Sequence, residues 1–597
     1  MFSKLLYATT ILLCIQSCNP IDFQTREPTR AVSPTFPPLP SAVPYTPTTS
    51  SPMFVSAHTN ATKTPTLVPI HFSANAGGGT PPYDYYWDFD NSDGIQVDKN
   101  HKSPSFVYGI PGNYAVTLTV KDSRGISSST QLNITALPKP YKSEKPIRLI
   151  NIHGTREKPI VIEGLDISAP NDNGIALVNC SYVIIRDNYI HDVNYDDIET
   201  GIYGNAIYVQ DSSHIEIASN LVTNNLHGIY VSSTPNSPQI EDISIHDNVV
   251  TGNRMNNGIH VDGADGVDIG NNHVKDNGDI QFFEHHRIIG IIVWDSTNIK
   301  IHDNISNGST SDGFGIAVST EFRKTHKGFF CRGIEIYNNT SVENGEQGIW
   351  LSTVRDGSVH DNYLARNRNP REDLGSSGIM MEGQVTGLKV FNNNILDNEV
   401  TGIGIESSWN NEIYQNRVTS PNSGWGAIWI NQTRQPYFEF HTANDNLIRN
   451  NILFNSSVGI GIEAGQNNTI TNNTIYKNGP HYTGAGGILI MPEAAGTVIK
   501  NNIIVWNDGF GILDKSGQSQ VAYNDFFQNT ANITGINLDV SNIFDDPHFV
   551  DAESGNFRLL PNSPCRDTGD PASNFSQESF PNGSLIDMGA YGNIGDW

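Results

Sequence analysis

From about residue 146 onward one pattern of hydrophobic and polar positions recurs down the chain. It reads Gly-apolar-x-apolar, then a polar turn, then apolar-x-x-Asn-x-apolar. Gly290-Ile291-Ile292-Val293 runs to Ile301-His302-Asp303-Asn304-Ile305, and Gly402-Ile403-Gly404-Ile405 runs to Ile413-Tyr414-Gln415-Asn416-Arg417-Val418. The asparagine returns every 22–35 residues, as Asn188, Asn220, Asn248, Asn272, Asn304, Asn339, Asn362, Asn393, Asn416, Asn451, Asn473, Asn502 and Asn524. Period-two alternation in short runs, split by Gly, Asn, Asp and Ser, predicts short strands. No stretch of helical periodicity is long enough to cross over between parallel strands. Such strands cannot bury their apolar side alone, so neighbouring coils must stack. The pattern predicts an all-β chain, a parallel β-helix solenoid of about 13 coils, over residues 146–544. Like residues then lie above like at ~4.8 Å. An asparagine in the same corner of each coil tolerates left-handed backbone and bonds its neighbours through its amide, a structural role.

This repeat resembles the right-handed parallel β-helix family of pectate-lyase-like carbohydrate-active proteins. The resemblance implies the fold. It leaves the reaction open, because that fold hosts lyases, hydrolases, epimerases and non-enzymatic adhesins.

The remaining chain divides into four parts. Residues 1–18 hold Lys4, a short apolar run and Ile15-Gln16-Ser17-Cys18. This is a secretory signal, and its end resembles a bacterial lipobox, which implies lipidation of Cys18. Residues 19–51 are rich in Pro, Thr and Ser, the composition of an extended spacer. Residues 52–138 carry Tyr86-Trp87-Asp88-Phe89-Asp90, then Gly112-Asn113-Tyr114 and the alternating run Val116-Thr117-Leu118-Thr119-Val120-Lys121-Asp122. These segments resemble the PKD domain, an immunoglobulin-like β-sandwich whose usual role is spacing or weak binding. Residues 545–597 resemble the closing region of secreted β-helix proteins, and the open end of a solenoid needs a cap. Asp546-Pro547-His548 echoes a mannuronan epimerase motif but sits outside the coils.

A net charge of −26 without a basic stripe excludes nucleic acid as a partner. An anionic polysaccharide would need local Arg or Lys, or a bridging calcium ion, the one cofactor the composition suggests. With Cys18 lipidated, Cys180, Cys331 and Cys565 are too few for a disulfide framework. Nothing in the chain calls for a second copy, so a monomer is expected, held outside the cytoplasm by its lipid.

The x positions of the Gly-apolar-x-apolar-x strands point outward onto one face. They include Tyr208, Tyr230, His260, Asp262, Trp294, Trp350, Glu382, Glu406, Trp429, Asn431 and Glu463. Aromatics interleaved with carboxylates and amides suit an extended glycan, whose C–H faces stack on rings while its hydroxyls bond polar groups. Glu382 and Glu406 fall on successive coils, an acid beside a base. Glycosidases place two carboxyls about 5–5.5 Å apart for retention and about 6.5–9.5 Å for inversion. The alternative chemistry is β-elimination of a uronic acid by the insertion holding Arg323, Lys324 and His326, with Arg355 nearby. A lyase or glycoside hydrolase is therefore expected on this face; a non-catalytic glycan-binding or adhesion lipoprotein is the alternative.

Overall fold

The computed structural model describes residues 52–94, 96–194, 196–197, 202–234, 237–254, 257–278, 289–309, 313–320, 330–369, 375–420, 424–432, 442–479, 484–537, 539–578 and 583–594. Among these no α-helix occurs, and three long parallel sheets of 15, 14 and 15 strands run the length of the solenoid. One coil shows how the sequence turns the corners. Ile291–Trp294 lies in the first sheet, Thr297–His302 in the second and Ile305–Asn307 in the third. Each strand pairs in register with its counterpart one coil on, as Ile291 with Ile316 and Ile299 with Ile334. The inward residues form one continuous core of Ile, Val and Leu.

The thirteen aligned asparagines are one unbroken ladder, extended at its end by Asn542. Each Nδ2 donates to the Oδ1 of the next, as Asn304 to Asn339 and Asn339 to Asn362, both at 3.0 Å. The same amide also caps a carbonyl of the preceding coil, as Asn304 Nδ2 does to Ile269 O. A second ladder five residues later was not foreseen: Asn225 to Asn253, Asn344 to Asn367 and Asn478 to Asn507. The repeat's glycine is required by close approach rather than by backbone angle. A Cβ on Gly290 would lie 2.7 Å from the carbonyl oxygen of Gly315 in the next coil, and one on Gly315 2.8 Å from that of Gly348.

The N-terminal sandwich has a three-stranded and a four-stranded sheet closed over Trp87, Phe89, Leu118 and Ile134. Val116, Leu118 and Val120 are fully buried, as their alternation requires. Asp88 and Asp90 spend their carboxylates on backbone N–H groups of the following turn. The sandwich docks on the outer face of the third sheet. Ile305 joins its core, Leu221 and Val249 pack with its Leu67 and Val107, and Tyr86 meets Tyr363 edge-on at 6.4 Å. Lys99 is buried at this contact, donating to Asn271 Oδ1 and Asp303 O; burial lowers its pKa to about 8 against the pull of Asp303, Asp247 and Asp98.

The C-terminal segment also lies on this outer face. Phe557, Cys565, Met588 and Ala590 pack on Ile452, Tyr476, Ile503 and Val505 of the third sheet. Asp546 accepts the backbone N–H of His548, so Asp-Pro-His forms a turn on the flank. Cys180, Cys331 and Cys565 are buried and unpaired.

Candidate functional site

The outer face of the first sheet carries a column of rings. Tyr208 and Tyr230 stand 5.9 Å apart, Tyr230 and His260 4.6 Å, and His260 and Trp294 5.0 Å, edge to face. The strands that bear them pair in register, Tyr208 with Tyr230 and Tyr230 with His260. Asp262 and Trp294 are likewise register partners, Asp262 nearly buried.

His260 can be assigned a tautomer. Asn257 Oδ1 accepts the backbone N–H of Ile289, which turns its Nδ2 toward His260 Nδ1 at 3.3 Å. The imidazole keeps some accessible surface, but protein crowds it, and this desolvation followed by the nearby His227 lowers its pKa to about 3. Burial lowers His227 to about 4. His260 is therefore neutral, accepts at Nδ1 and carries its proton on Nε2. That Nε2 is fully buried and has no hydrogen-bond partner, and neither has Nε1 of Trp294. A buried donor left unpaired costs roughly 1–3 kcal/mol, so two on one face require an explanation. No sequence pattern announced them, because the tautomer depends on a bond from Asn257 to a residue 32 positions away.

Farther along the same face stand the carboxylates. Glu382 and Glu406 are register partners on adjacent coils, and Glu406 is the partner of Asn431. All three are half-buried. Trp350 Nε1 donates to Glu382 Oε2 at 2.9 Å, which fixes that carboxylate. Glu463 lies where pairing with the next strand loses register, between Ile462 and Ala464.

Two of the expected ring platforms are not platforms. Trp350 is 6% exposed and Trp429 5%. Trp350 stacks on Phe314 at 5.1 Å within a cluster with Ile289, Ile292 and Ala317. Trp429 lies flat over the following coil, where a Cβ on Gly461 would come within 2.2 Å of its ring. Gly404 makes room for Met380 in the same way. A large side chain followed one coil later by glycine lays its ring on the sheet rather than offering it to a ligand.

Arg355 belongs to the second sheet, with its guanidinium 3.4 Å from the centre of the Phe330 ring, and so lies off the outer face of the first sheet. Arg323, Lys324, His326 and Cys18 lie outside the described residues, as do the histidines and arginine of 285–287. Among the described residues no group of three or more His, Cys, Asp or Glu is arranged to hold a metal ion.

Three sequence families match the chain. The right-handed β-helix region matches residues 199–328 and 422–559, the periplasmic copper-binding protein NosD residues 283–438, and the PKD domain residues 49–136. No curated protein matches in sequence. Among solved structures the chain is similar to a lacto-N-biosidase from Eubacterium ramulus, with 12% identity over 66% of this chain and 61% of that one, at a TM-score of 0.29. The chain thus spans less than two thirds of that protein. It is also similar to the A-module of a mannuronan C-5 epimerase from Azotobacter vinelandii, with 12% identity over 68% and 90% and a TM-score of 0.29. A pectate lyase matches with 13% identity over 76% and 97%, again at 0.29. With its three parallel sheets and its N-terminal sandwich, the chain is a right-handed parallel β-helix protein preceded by a PKD domain.

Proposed function

We propose that this is a carbohydrate-active protein that holds an extended glycan along the outer face of the first sheet and hydrolyses it beside Glu382 and Glu406. The observation that carries the reading is the column of half-buried rings, Tyr208, Tyr230, His260 and Trp294, on the same outer face as Glu382 and Glu406. A glycan suits such a face: its C–H faces cover the rings while its hydroxyls bond the carboxylates and amides beside them. The neutrality of His260 suits an uncharged acceptor. Glu382 and Glu406, neighbours in register, suit glycoside hydrolysis. One protonates the leaving oxygen, and the other attacks the anomeric carbon or activates water.

Elimination is the second reading. Arg323, Lys324 and His326 follow directly in sequence on the first-sheet strand Ile316–Ser319, which neighbours the Trp294 strand. In that reading a basic group removes the C5 proton of a uronate while Arg or Lys neutralises its carboxylate. Export by the N-terminal signal, with a lipid on Cys18, belongs to the same proposal, and mass spectrometry of the mature N-terminus tests it.

The decisive experiment is a screen of the mature protein against neutral and uronate polysaccharides, with and without calcium. Reducing ends without unsaturated products, lost in Glu382→Gln and Glu406→Gln, is the expected result. Unsaturated products abolished by Arg323, Lys324 or His326 substitution would replace hydrolysis with elimination. Binding without any product would leave a glycan-binding surface protein.

A further inference from the structure

The solenoid is covered along its flank and open at its ends. The PKD domain and the C-terminal segment both lie on the outer face of the third sheet. The outermost strands are Lys142–Glu144, Ile147–Ile150 and Ile160–Glu163 at the head, and Gln520–Ala522, Asp525–Phe527 and Ala531–Thr534 at the tail. At the tail Ile543 bridges to Asp525 and closes the third sheet. The first-sheet strand Ala531–Thr534 has no strand beyond it among the described residues.

The core is open at the ends too. Inward side chains of the middle coils, such as Ile291, Ile299 and Ile403, are fully buried. Ile147, Leu149 and Ile160 at the head and Ile533 and Ile536 at the tail are only partly buried. Among the described residues of 142–544, the exposed large apolar side chains are Ile150, Ile152 and Val161 at the head and Val540 and Phe544 at the tail; none lies between. A bare sheet edge over an open core is a template for another chain.

The two ends carry opposite charge. The first coil, 142–163, holds five Lys and Arg against three Glu. Glu144 is paired with Lys142, and Glu163 with Arg186 of the next coil. Lys145, Arg148, Arg156 and Lys158 are exposed and belong to no ion pair, which leaves Glu157 alone against them. The last coil and its closing turn, 514–546, hold five Asp against Lys515. Asp525 is buried, and Asp514 is spent on the turn at 516–519. Asp539 and Asp545 are exposed and Asp546 half-buried, none of them paired with Lys or Arg. Lysines along a lone edge would only deter pairing. An acidic, apolar end on the same molecule makes them selective instead, since they repel another head and attract a tail.

We propose that these ends bind each other: the head of one copy stacks on the tail of a second, and the solenoid continues across the junction. All strands of the three long sheets run parallel, so Ala531–Thr534 of one copy takes Ile147–Ile150 of the next on its free edge, as it takes Phe510–Asp514 of its own chain on the other. Val540 and Phe544 then meet Ile150, Ile152 and Val161, and Asp539 and Asp545 meet the unpaired cations of the head. The contact is heterologous and does not close, so its product is a linear array in which the monomer is one unit.

The test is sedimentation velocity on the full mature protein over a concentration series. The parent should associate into species that lengthen with concentration. The head variant is Arg148→Glu with Lys158→Glu, and the tail variant is Val540→Arg with Asp545→Arg, all at exposed positions. Each alone should need roughly tenfold more protein or above to associate, because like charge then faces like charge. An equimolar mixture of the two should associate again, since it holds an intact head and an intact tail; that recovery excludes misfolding as the cause of either loss. A parent that stays monomeric to roughly 100 μM, association that survives in either variant, or a mixture that stays apart would each overturn the proposal. So would a monomeric parent whose capture by phosphatidylglycerol vesicles is lost in the head variant alone, which would make the head a membrane surface.

Discussion

On the outer face of the first sheet the rings of Tyr208, Tyr230, His260 and Trp294 meet at 37–82°. At the C-terminal ends of five successive second-sheet strands His302, Tyr337, His360, Phe391 and Tyr414 lie nearly parallel, at 6–10° and 4.6–5.4 Å. Both columns arise from the same device, a repeat that sets like positions one above another. Their chemistry differs. In the second column each inner ring covers its neighbour's face, and Arg449 closes the end over Tyr414 at 4.1 Å. Its histidines are held by carboxylates, His302 by Asp303 and Asp268, His360 by Asp361. Its stacked faces and its histidine ring nitrogens are engaged within the chain. In the first column the ring faces are tilted open and two N–H groups have no partner. A ring column is a brace when its faces and protons are spent within the chain, and a binding surface when they are not.

The largest effect that would break this contrast concerns the carboxylates beside the first column. Glu382→Gln and Glu406→Gln should each lower kcat by about 10²-fold or more, the worth of a general acid or base. Unchanged turnover in both would detach the first face from catalysis. A paired substitution sharpens the contrast next. Trp294→Ala should weaken glycan retention roughly tenfold with a small change in Tm. Phe391→Ala should leave retention intact while lowering the unfolding free energy by about 2 kcal/mol. Exchange of those outcomes would mean that the roles of the two columns are reversed.

The smallest effects are in pH dependence, and their signs are opposite. Burial alone would lower the pKa of His302, but its bonds to Asp268 and Asp303 outweigh it and raise the value to about 9. Native His302 therefore holds a proton that the unfolded chain releases near the ordinary value of about 6.5. Its contribution is complete below that pH and is lost as the pH rises through about 9. His260, at about 3, does the reverse: the unfolded chain binds the proton first, so stability falls as pH drops from about 6.5 toward 3. Urea unfolding across pH, with His302→Gln and His260→Gln compared with the parent, reads both slopes. A parent curve flat from pH 7 to 9.5 would remove the charged role of His302.

The coil repeat was legible because its cause is local. Thirteen asparagines and the glycine column are dictated by corners and close approaches that recur at fixed places, and every aligned asparagine joined the ladder. The second ladder is equally present as Asn-x-x-x-x-Asn, in Asn220 with Asn225 and Asn362 with Asn367, but it is broken by serine at 309, 420 and 456 and so repeats less regularly. The candidate site was legible only in part. Alternation identified the face that bears Tyr230, Trp294, Glu382 and Glu406. It did not tell a ring standing up from a ring lying down, because that depends on the residue one coil later, glycine at 461 beneath Trp429. The docking of the PKD domain was not legible at all, since Lys99 meets Asn271 across 172 residues.

The direction of the asparagine ladder bears on how the molecule is assembled. Asn188 donates to Asn220, Asn220 to Asn248, and so on to Asn542, always from the earlier coil to the later one. A chain emerging from its N-terminus therefore always ends in an amide whose acceptor has not yet arrived. Each new coil satisfies the one before it and exposes its own donors in turn, so growth runs one way, like a ratchet, and stopping at any coil leaves the asparagine's amide and backbone N–H unmet at the tip together with three unpaired strand edges. Asn542, whose Nδ2 turns back to Val521 O and Asp539 O, is where that sequence stops.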